Sequence, residues 1–256
     1  MSELERVREL ARAALQTLEA SRRRIDDLNV YPVPDGDTGT NLTLTARGIV
    51  EALETSVAAD RAAVAKELTR AALMGARGNS GVIFSQIVRG AAEVLGEDGP
   101  LDGPRVRRSF RGASDAAYRA VRRPVEGTML TVIRELAEEA EDPRHASLDP
   151  VGLFKALLAR GEDALARTPE QLAVLKEAGD VDAGGAGLLE ILRGLARERR
   201  PRTHTRRASR RSTRSSPSSA TAPSSSSRAR TSCSRSSRRS SSRSATRCSS
   251  SATRTP

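Results

Sequence analysis

Residues 3–29, ELERVRELARAALQTLEASRRRIDDLN, carry Leu4, Val7, Leu10, Ala14, Leu18, Ile25 and Leu28 at steps of mostly three and four, with Glu and Arg between them. That spacing puts the apolar residues on one stripe, so the stretch predicts a single long amphipathic helix ending near Asn29. The segment Tyr31-Pro32-Val33-Pro34-Asp35-Gly36-Asp37-Thr38-Gly39 cannot continue it, because two prolines and two glycines forbid helix; it reads as a rigid loop. Helical spacing returns over 41–57, 60–74 and 80–95, with Gly75-Ala76-Arg77-Gly78 separating the last two. Val106, Phe110, Ala113, Ala117 and Val121 mark a fifth helix, closed before Pro124. Thr128 is the expected N-cap of a sixth that runs to about Ala140, and Asp149-Pro150 opens a seventh with a cap and a first-position proline. Thr168-Pro169-Glu170 starts a short helix in the same way. Gly179 to Gly187 reads as a glycine-rich turn before a last helix built on Leu188, Leu189, Ile191, Leu192 and Leu195. Eight principal helices and no period-two alternation predict an all-α helical bundle.

Composition points the same way. The chain has 256 residues, 37% hydrophobic and 29% charged, which is the soluble globular range. Only 2% are aromatic, with no Trp, so the core must be Leu, Val, Ile and Ala, a filling suited to a helical bundle and poor for a β-sandwich. No run of eighteen apolar residues exists and the N-terminus is charged and amphipathic, so neither a membrane span nor a secretory signal is expected; the chain reads as cytoplasmic.

The net charge of +11 is unevenly spread. Residues 201–256 hold fourteen Arg, no Lys, Asp or Glu, and no Leu, Ile, Val, Met or Phe, whereas residues 1–200 hold 29 basic against 32 acidic side chains. A mildly acidic folded domain over 1–199 is therefore expected to precede an Arg/Ser/Thr tail over 200–256, disordered because it has no apolar surface to offset its chain entropy. The tail composition is that of a GC-rich gene read in the wrong frame; the alternative is a genuine Arg/Ser tail that binds nucleic acid through phosphate charge. Both cysteines, Cys233 and Cys248, fall in it, so no disulfide or cysteine metal site is expected in the folded part.

Four loops look chemical. Asp35 and Asp37, two residues apart in a stretch stiffened by Pro32 and Pro34, suit Mg²⁺, which takes one or two carboxylates and completes its shell with water and phosphate oxygens. An EF-hand fails on spacing, since the sixth position counted from Asp35 is Thr40 and the twelfth is Ala46. The plain alternative is an Asx turn with Asp37 or Thr38 capping the next helix. Thr38-Gly39-Thr40-Asn41 and Arg77-Gly78-Asn79-Ser80-Gly81 each lead into a helix N-terminus, where free N–H groups and the dipole favour an anion. For the second, a simple turn capped by Ser80 is the alternative. Neither is a Walker A loop, because the chain's three lysines, Lys66, Lys155 and Lys176, follow no such loop. Glu126-Gly127-Thr128-Met129-Leu130 is the third, and Val181-Asp182-Ala183-Gly184-Gly185-Ala186-Gly187 the fourth. If the four helix starts meet at one end of a bundle, they suit a nucleotide whose phosphates are held by N–H groups and magnesium without a lysine.

These motifs, with Asn29-Val30 preceding the first and Val82-Ile83 following the second, resemble the DhaL-type nucleotide-binding domain of the dihydroxyacetone (glycerone) kinase superfamily. Their order and spacing are similar to those of its bacterial fatty acid kinase branch, the kinase-like partners of DegV-type proteins, and the likeness covers residues 1–199. The resemblance implies an antiparallel eight-helix barrel with ATP or ADP and two Mg²⁺ ions at one end. It implies Asp35 and Asp37 as metal ligands, with Asn29 standing near a third ligand position that is acidic in glycerone kinases. Thr38, Gly39, Thr40, Asn41, Asn79 and Ser80 would contact phosphates, Met129, Asp182, Ala183 and Gly184 would line ribose and base, and Gly78, Gly81 and Thr128 would also belong to the nucleotide site. The activity implied is an ATP- and Mg²⁺-dependent phosphotransferase, a kinase inactive without its partner. The acceptor would be a carboxylate or hydroxyl presented by an acyl-carrying or dihydroxyacetone-carrying partner protein. The alternatives are a non-catalytic ADP/Mg²⁺ regulatory module and a glycerone kinase subunit. No catalytic base is expected, since His145 lies in a proline-flanked surface loop and His204 in the tail, and the sequence shows no long apolar groove for an acyl chain.

Overall fold

The computed structural model describes residues 2–198; the expected domain boundary at 199 and the Arg/Ser tail lie outside the described residues. Ten α-helices and no strand occur among them: α1 (Glu3–Asp27), α2 (Thr38–Thr55), α3 (Arg61–Gly75), α4 (Gly78–Leu95), α5 (Gly103–Ala120), α6 (Met129–Glu141), α7 (Pro150–Ala166), α8 (Thr168–Gln171), α9 (Ala173–Ala178) and α10 (Ala183–Glu198). A 3-10 turn, Pro143–His145, joins α6 to α7. The eight long helices correspond to the eight expected from periodicity.

Local chemistry sets most of the boundaries. Ser2 and Glu5 form a capping box, each side chain bonding the other's backbone N–H at 3.1 and 2.6 Å. Asp60, Asp102, Thr128 and Asp149 cap α3, α5, α6 and α7 through their side chains. Three starts differ from expectation. The second helix begins at Thr38, not Asn41, and the fourth at Gly78, not Ser80, so Ser80 lies inside the first turn and the cap position is Arg77.

The largest difference is at the last helix, which begins at Ala183 and absorbs Gly184, Gly185 and Gly187 instead of turning on them. A Cβ at Gly187 would lie 2.3 Å from Leu42 Cδ1, and one at Gly185 would lie 2.9 Å from Val132 Cγ2. These glycines serve close packing between helices. Each costs about 1 kcal/mol of helix propensity against Ala, which the burial around them offsets.

Each long helix packs on its sequence neighbour, α7 packs on α10, and α10 packs back on α1, so the eight close a ring. With short connections successive helices run in opposite directions, and the even-numbered long helices α2, α4 and α6, together with α10, all start at the same end. Backbones come closest where side chains vanish: a Cβ at Gly90 of α4 would lie 2.1 Å from the Gly112 carbonyl of α5. The ring's inner face is aliphatic, with Leu18, Leu42, Leu53, Leu136 and Leu157 at 0–1% exposure. Burying each such side chain is worth about 2 kcal/mol. Phe110 of α5 and Phe154 of α7 meet edge to face at 6.2 Å.

The interior is not filled. A cavity of about 900 Å³ lies inside the ring, lined by residues of all eight long helices, such as Leu10, Ile49, Phe84, Val106, Ile133 and Leu188. No apolar groove is legible in the sequence, because its lining is spread over helices far apart in the chain. No helix among the described residues is long and apolar enough to cross a membrane.

Candidate functional site

The site is assembled at the end where α2, α4, α6 and α10 begin. At the first loop, Asp37 occupies the N-cap position of α2 through its backbone alone: its carbonyl accepts from Asn41 N at 2.7 Å, and its carboxylate makes no cap bond. The capping is done from α1. Asp26 accepts the Thr40 amide at 2.8 Å and the Thr40 hydroxyl at 2.9 Å, and Arg22 also reaches that hydroxyl at 3.3 Å. The Asx-cap alternative is therefore not realised, which leaves the Asp37 carboxylate and one oxygen of the Asp35 carboxylate available to a ligand. Asp35 is exposed and Asp37 half-buried.

Asn29 is buried at 6% exposure, just past the end of α1. Its amide nitrogen donates to Asp35 Oδ1 at 2.6 Å and to the Val33 carbonyl at 3.3 Å, and its oxygen accepts from the Thr38 hydroxyl at 2.8 Å. Thr38 and Gly39 are buried at the start of α2, beneath α1. A Cβ at Gly39 would lie 2.3 Å from the Arg22 carbonyl, so only glycine lets α1 and α2 approach this closely.

The second loop is welded to the first by Thr45. Its hydroxyl donates to the Asn41 carbonyl at 2.8 Å and accepts the Arg77 amide at 3.1 Å. Gly78 sits at φ +57° directly over Asn41, where a Cβ would fall 2.2 Å from the Asn41 amide nitrogen. Asn79 is exposed and Ser80 half-buried at the head of α4. Gly81 lies against the Thr45 hydroxyl.

The third and fourth loops are joined by Asp182. Its carboxylate accepts the Gly185 amide at 2.6 Å and also the amides of Met129 and Gly184, while its own N–H donates to the Thr168 hydroxyl at 3.1 Å. Burial raises its pKa to about 6, against the lowering effect of those amides. Met129 and Ala183 are buried at 3% exposure, and Gly184 packs against the Met129 side chain. Thus Asp182, Met129 and Ala183 form a packed floor with their side chains turned inward. Thr128 caps α6, accepting Leu130 N at 3.3 Å. Behind the Gly127 turn, at φ +79°, Glu126 accepts from Tyr118, Thr131 and Arg134 at 3.0, 2.6 and 3.0 Å. Burial would raise the Glu126 pKa, but these donors outweigh it and the carboxyl is held below its usual range.

The two halves meet through Gly187 on Leu42, which ties the start of α10 to the start of α2. His145 lies as expected in an exposed, proline-flanked turn, at the opposite end of the barrel; its own side chain is 15% exposed and contacts Glu139 at 2.5 Å. The sequence reading missed Asp26 and Thr45. A signal for Asp26 exists, since Asp26 and Asp27 stand in the last turn of α1, where the helix dipole disfavours acids unless they serve another element.

Among the described residues no cluster of three or more His, Cys, Asp or Glu side chains forms a metal site. Two carboxylates with spare oxygens nonetheless suit Mg²⁺, which takes few protein ligands and completes its shell with water and phosphate.

A family model described as the DAK2 domain matches residues 32–197. Uncharacterized proteins of Staphylococcus aureus strains bovine RF122 / ET3-1 and USA300 are each 41% identical over 179 residues, covering 70% of this chain and 33% of the relative. The chain thus spans about a third of the length of the curated relatives it matches. Among solved structures, the dihydroxyacetone kinase from C. freundii in complex with AMP-PNP and Mg²⁺ superposes with a TM-score of 0.57 at 17% identity, covering 77% of this chain and 34% of that one. Its native form gives 0.56 at 16% identity, with 77% and 35% covered. At such identities the likeness is one of fold.

Proposed function

The chain belongs to the DAK2 domain family, and on that premise we propose that it is the nucleotide-binding module of a kinase, holding ATP and Mg²⁺ at the end of the barrel where α2, α4, α6 and α10 begin. The observation that carries this reading is the division of labour in the first loop. Asp26 caps α2, which leaves the Asp35 and Asp37 carboxylates for a cation. The solved kinase of the same fold, described with AMP-PNP and Mg²⁺, supports the choice of ligand.

In this reading Asp35 and Asp37 hold Mg²⁺ against the phosphates. The orphan amides at the starts of α2 and α4, those of Thr38, Gly39, Gly78, Asn79 and Ser80, with the Asn41 and Ser80 side chains, receive the phosphate oxygens, whereas the Asn41 and Gly81 amides close the first turns on the Asp37 and Arg77 carbonyls. The Thr40 amide and hydroxyl are already engaged by Asp26, so Thr40 shapes the loop and does not bind phosphate itself. Gly127 to Met129 and Asp182 to Gly184 support the ribose and base. The bound metal supplies charge neutralisation and alignment of the phosphates. Transfer forms a bond from an acceptor oxygen to the γ-phosphorus and breaks the bond to the β–γ bridging oxygen, releasing ADP. An acceptor carboxylate, already ionised, needs no base, which fits a site whose described residues include no histidine. The acceptor is presented by a separate acyl-carrying or dihydroxyacetone-carrying protein. Calorimetric titration of the chain with ATP, with and without Mg²⁺, tests this reading. Metal-dependent binding lost in Asp35→Ala and Asp37→Ala is expected, and affinity unchanged in both would return the loop to a structural role.

A further inference from the structure

Asn29 stands near a third ligand position by family likeness, yet its hydrogen bonds give it another task. The Asp35 carboxylate and the Val33 carbonyl can only accept, so the Asn29 side-chain nitrogen must face them, at 2.6 and 3.3 Å. Its oxygen then faces α2 and accepts from the Thr38 hydroxyl at 2.8 Å. Both amide hydrogens and the oxygen are used, at 6% exposure. The atom turned toward the loop carboxylate is an NH₂ group, which cannot ligate a cation.

We infer that Asn29 is a positioning residue: it pins one oxygen of Asp35 and the first residue of α2 to the end of α1, leaving the other Asp35 oxygen to face the cation. This rests on the reading of Asp35 as a metal ligand. An exposed carboxylate on a loop otherwise loses rotamer freedom when a cation binds, and a charge-assisted bond to a buried amide settles that orientation beforehand. An aspartate at position 29 would have the shape of Asn and the charge of a ligand. Beside Asp35 it would replace the donated hydrogen bond by repulsion between like charges.

The two roles predict opposite outcomes for Asn29→Asp. A metal ligand made anionic keeps or tightens Mg²⁺ binding, whereas a positioning amide made anionic loses it. The experiment is calorimetric titration of the full chain with ATP over a series of Mg²⁺ concentrations, for wild type, Asn29→Asp, Asn29→Ala, Asp35→Ala and the double variant Asn29→Ala/Asp35→Ala. Circular dichroism melts report the fold of each. We expect Asn29→Ala to weaken the Mg²⁺ dependence about tenfold, the worth of one hydrogen bond to a charged group, and Asn29→Asp to weaken it at least as much. ATP affinity in EDTA should not change. Titrated to Mg²⁺ concentrations high enough for Asp37 alone to hold the ion weakly, the Asp35→Ala background should lose nothing further on removal of Asn29, because its effect on the metal runs through Asp35. Mg²⁺ affinity kept or tightened in Asn29→Asp, or a full additive loss in the double variant, would overturn the inference. Should Asn29→Asp not fold, Asn29→Ala and the double variant, which add no charge, carry the test. Unaltered Mg²⁺ dependence in Asp35→Ala would instead overturn the reading of the loop as a metal site, a result separable from either of these.

Discussion

The carboxylate of Asp26 on α1 holds both the amide and the hydroxyl of Thr40 on α2, at 2.8 and 2.9 Å. A helix start needs an acceptor for its orphan amides. Because that acceptor comes from a neighbouring helix, the two aspartates in the loop keep their charge for something else.

Asp26→Ala should therefore loosen the start of α2. The expected loss is about 1–2 kcal/mol, the worth of an N-cap, seen as a lower urea midpoint. Asp26→Asn, which keeps an acceptor, should lose less; equal midpoints for wild type and Asp26→Ala would show that α2 does not depend on this cap.

Asp35→Ala and Asp37→Ala are expected to leave the helical circular dichroism and the melting temperature close to wild type. Neither carboxylate caps a helix, and that of Asp35 bonds the Asn29 side chain on the loop itself. Calorimetry should nevertheless register loss of Mg²⁺-dependent ATP binding in both.

Asp182 ties stability to pH. Its folded pKa, about 6, lies above the ordinary 3.8 because the carboxyl is buried. A raised folded pKa means that the folded state binds the proton more tightly. Its contribution is fully present below the unfolded value and is lost as pH rises through about 6. Urea midpoints followed from pH 7.5 to 4.5 should rise on acidification in the wild type, and Asp182→Asn should flatten that slope. Glu126, whose pKa is lowered, acts in the opposite sense only at more acidic pH.

Gly90→Ala should destabilise the barrel although alanine favours helix, because the new Cβ would lie 2.1 Å from the Gly112 carbonyl and 2.6 Å from the Ala116 Cβ. Overpacking of this kind costs about 1–3 kcal/mol. Thermal melts would reveal it, and a variant as stable as wild type would mean that α4 and α5 can separate without loss.

Incubated with labelled ATP, the purified chain should phosphorylate free dihydroxyacetone or free fatty acid negligibly, and should do so efficiently only when an acceptor-carrying protein is added. Its described motifs all gather around one end of the barrel, with none left to recognise a small acceptor. Rapid turnover of dihydroxyacetone by the chain alone would make it a self-sufficient glycerone kinase.

Which segments are helical was legible in the sequence, because three-and-four spacing of Leu, Val, Ile and Ala is a local property and helices are held by local bonds. The four chemical loops were legible for the same reason, as Pro, Gly and Asp write their constraints into a few adjacent positions. Where a helix begins was less so. Gly184, Gly185 and Gly187 read as a turn because glycine disfavours helix, and only packing on Met129, Val132 and Leu42 makes them part of α10. The cap from Asp26, the weld through Thr45, the inward carboxylate of Asp182 and the hollow interior belong wholly to the tertiary structure. Each joins groups that share no local spacing, so it exists only once alternating helix directions have brought four helix starts to one end. Asn29 shows the division most plainly: its type and place follow from the chain, but whether its amide faces a cation or a carboxylate is decided by what folds against it.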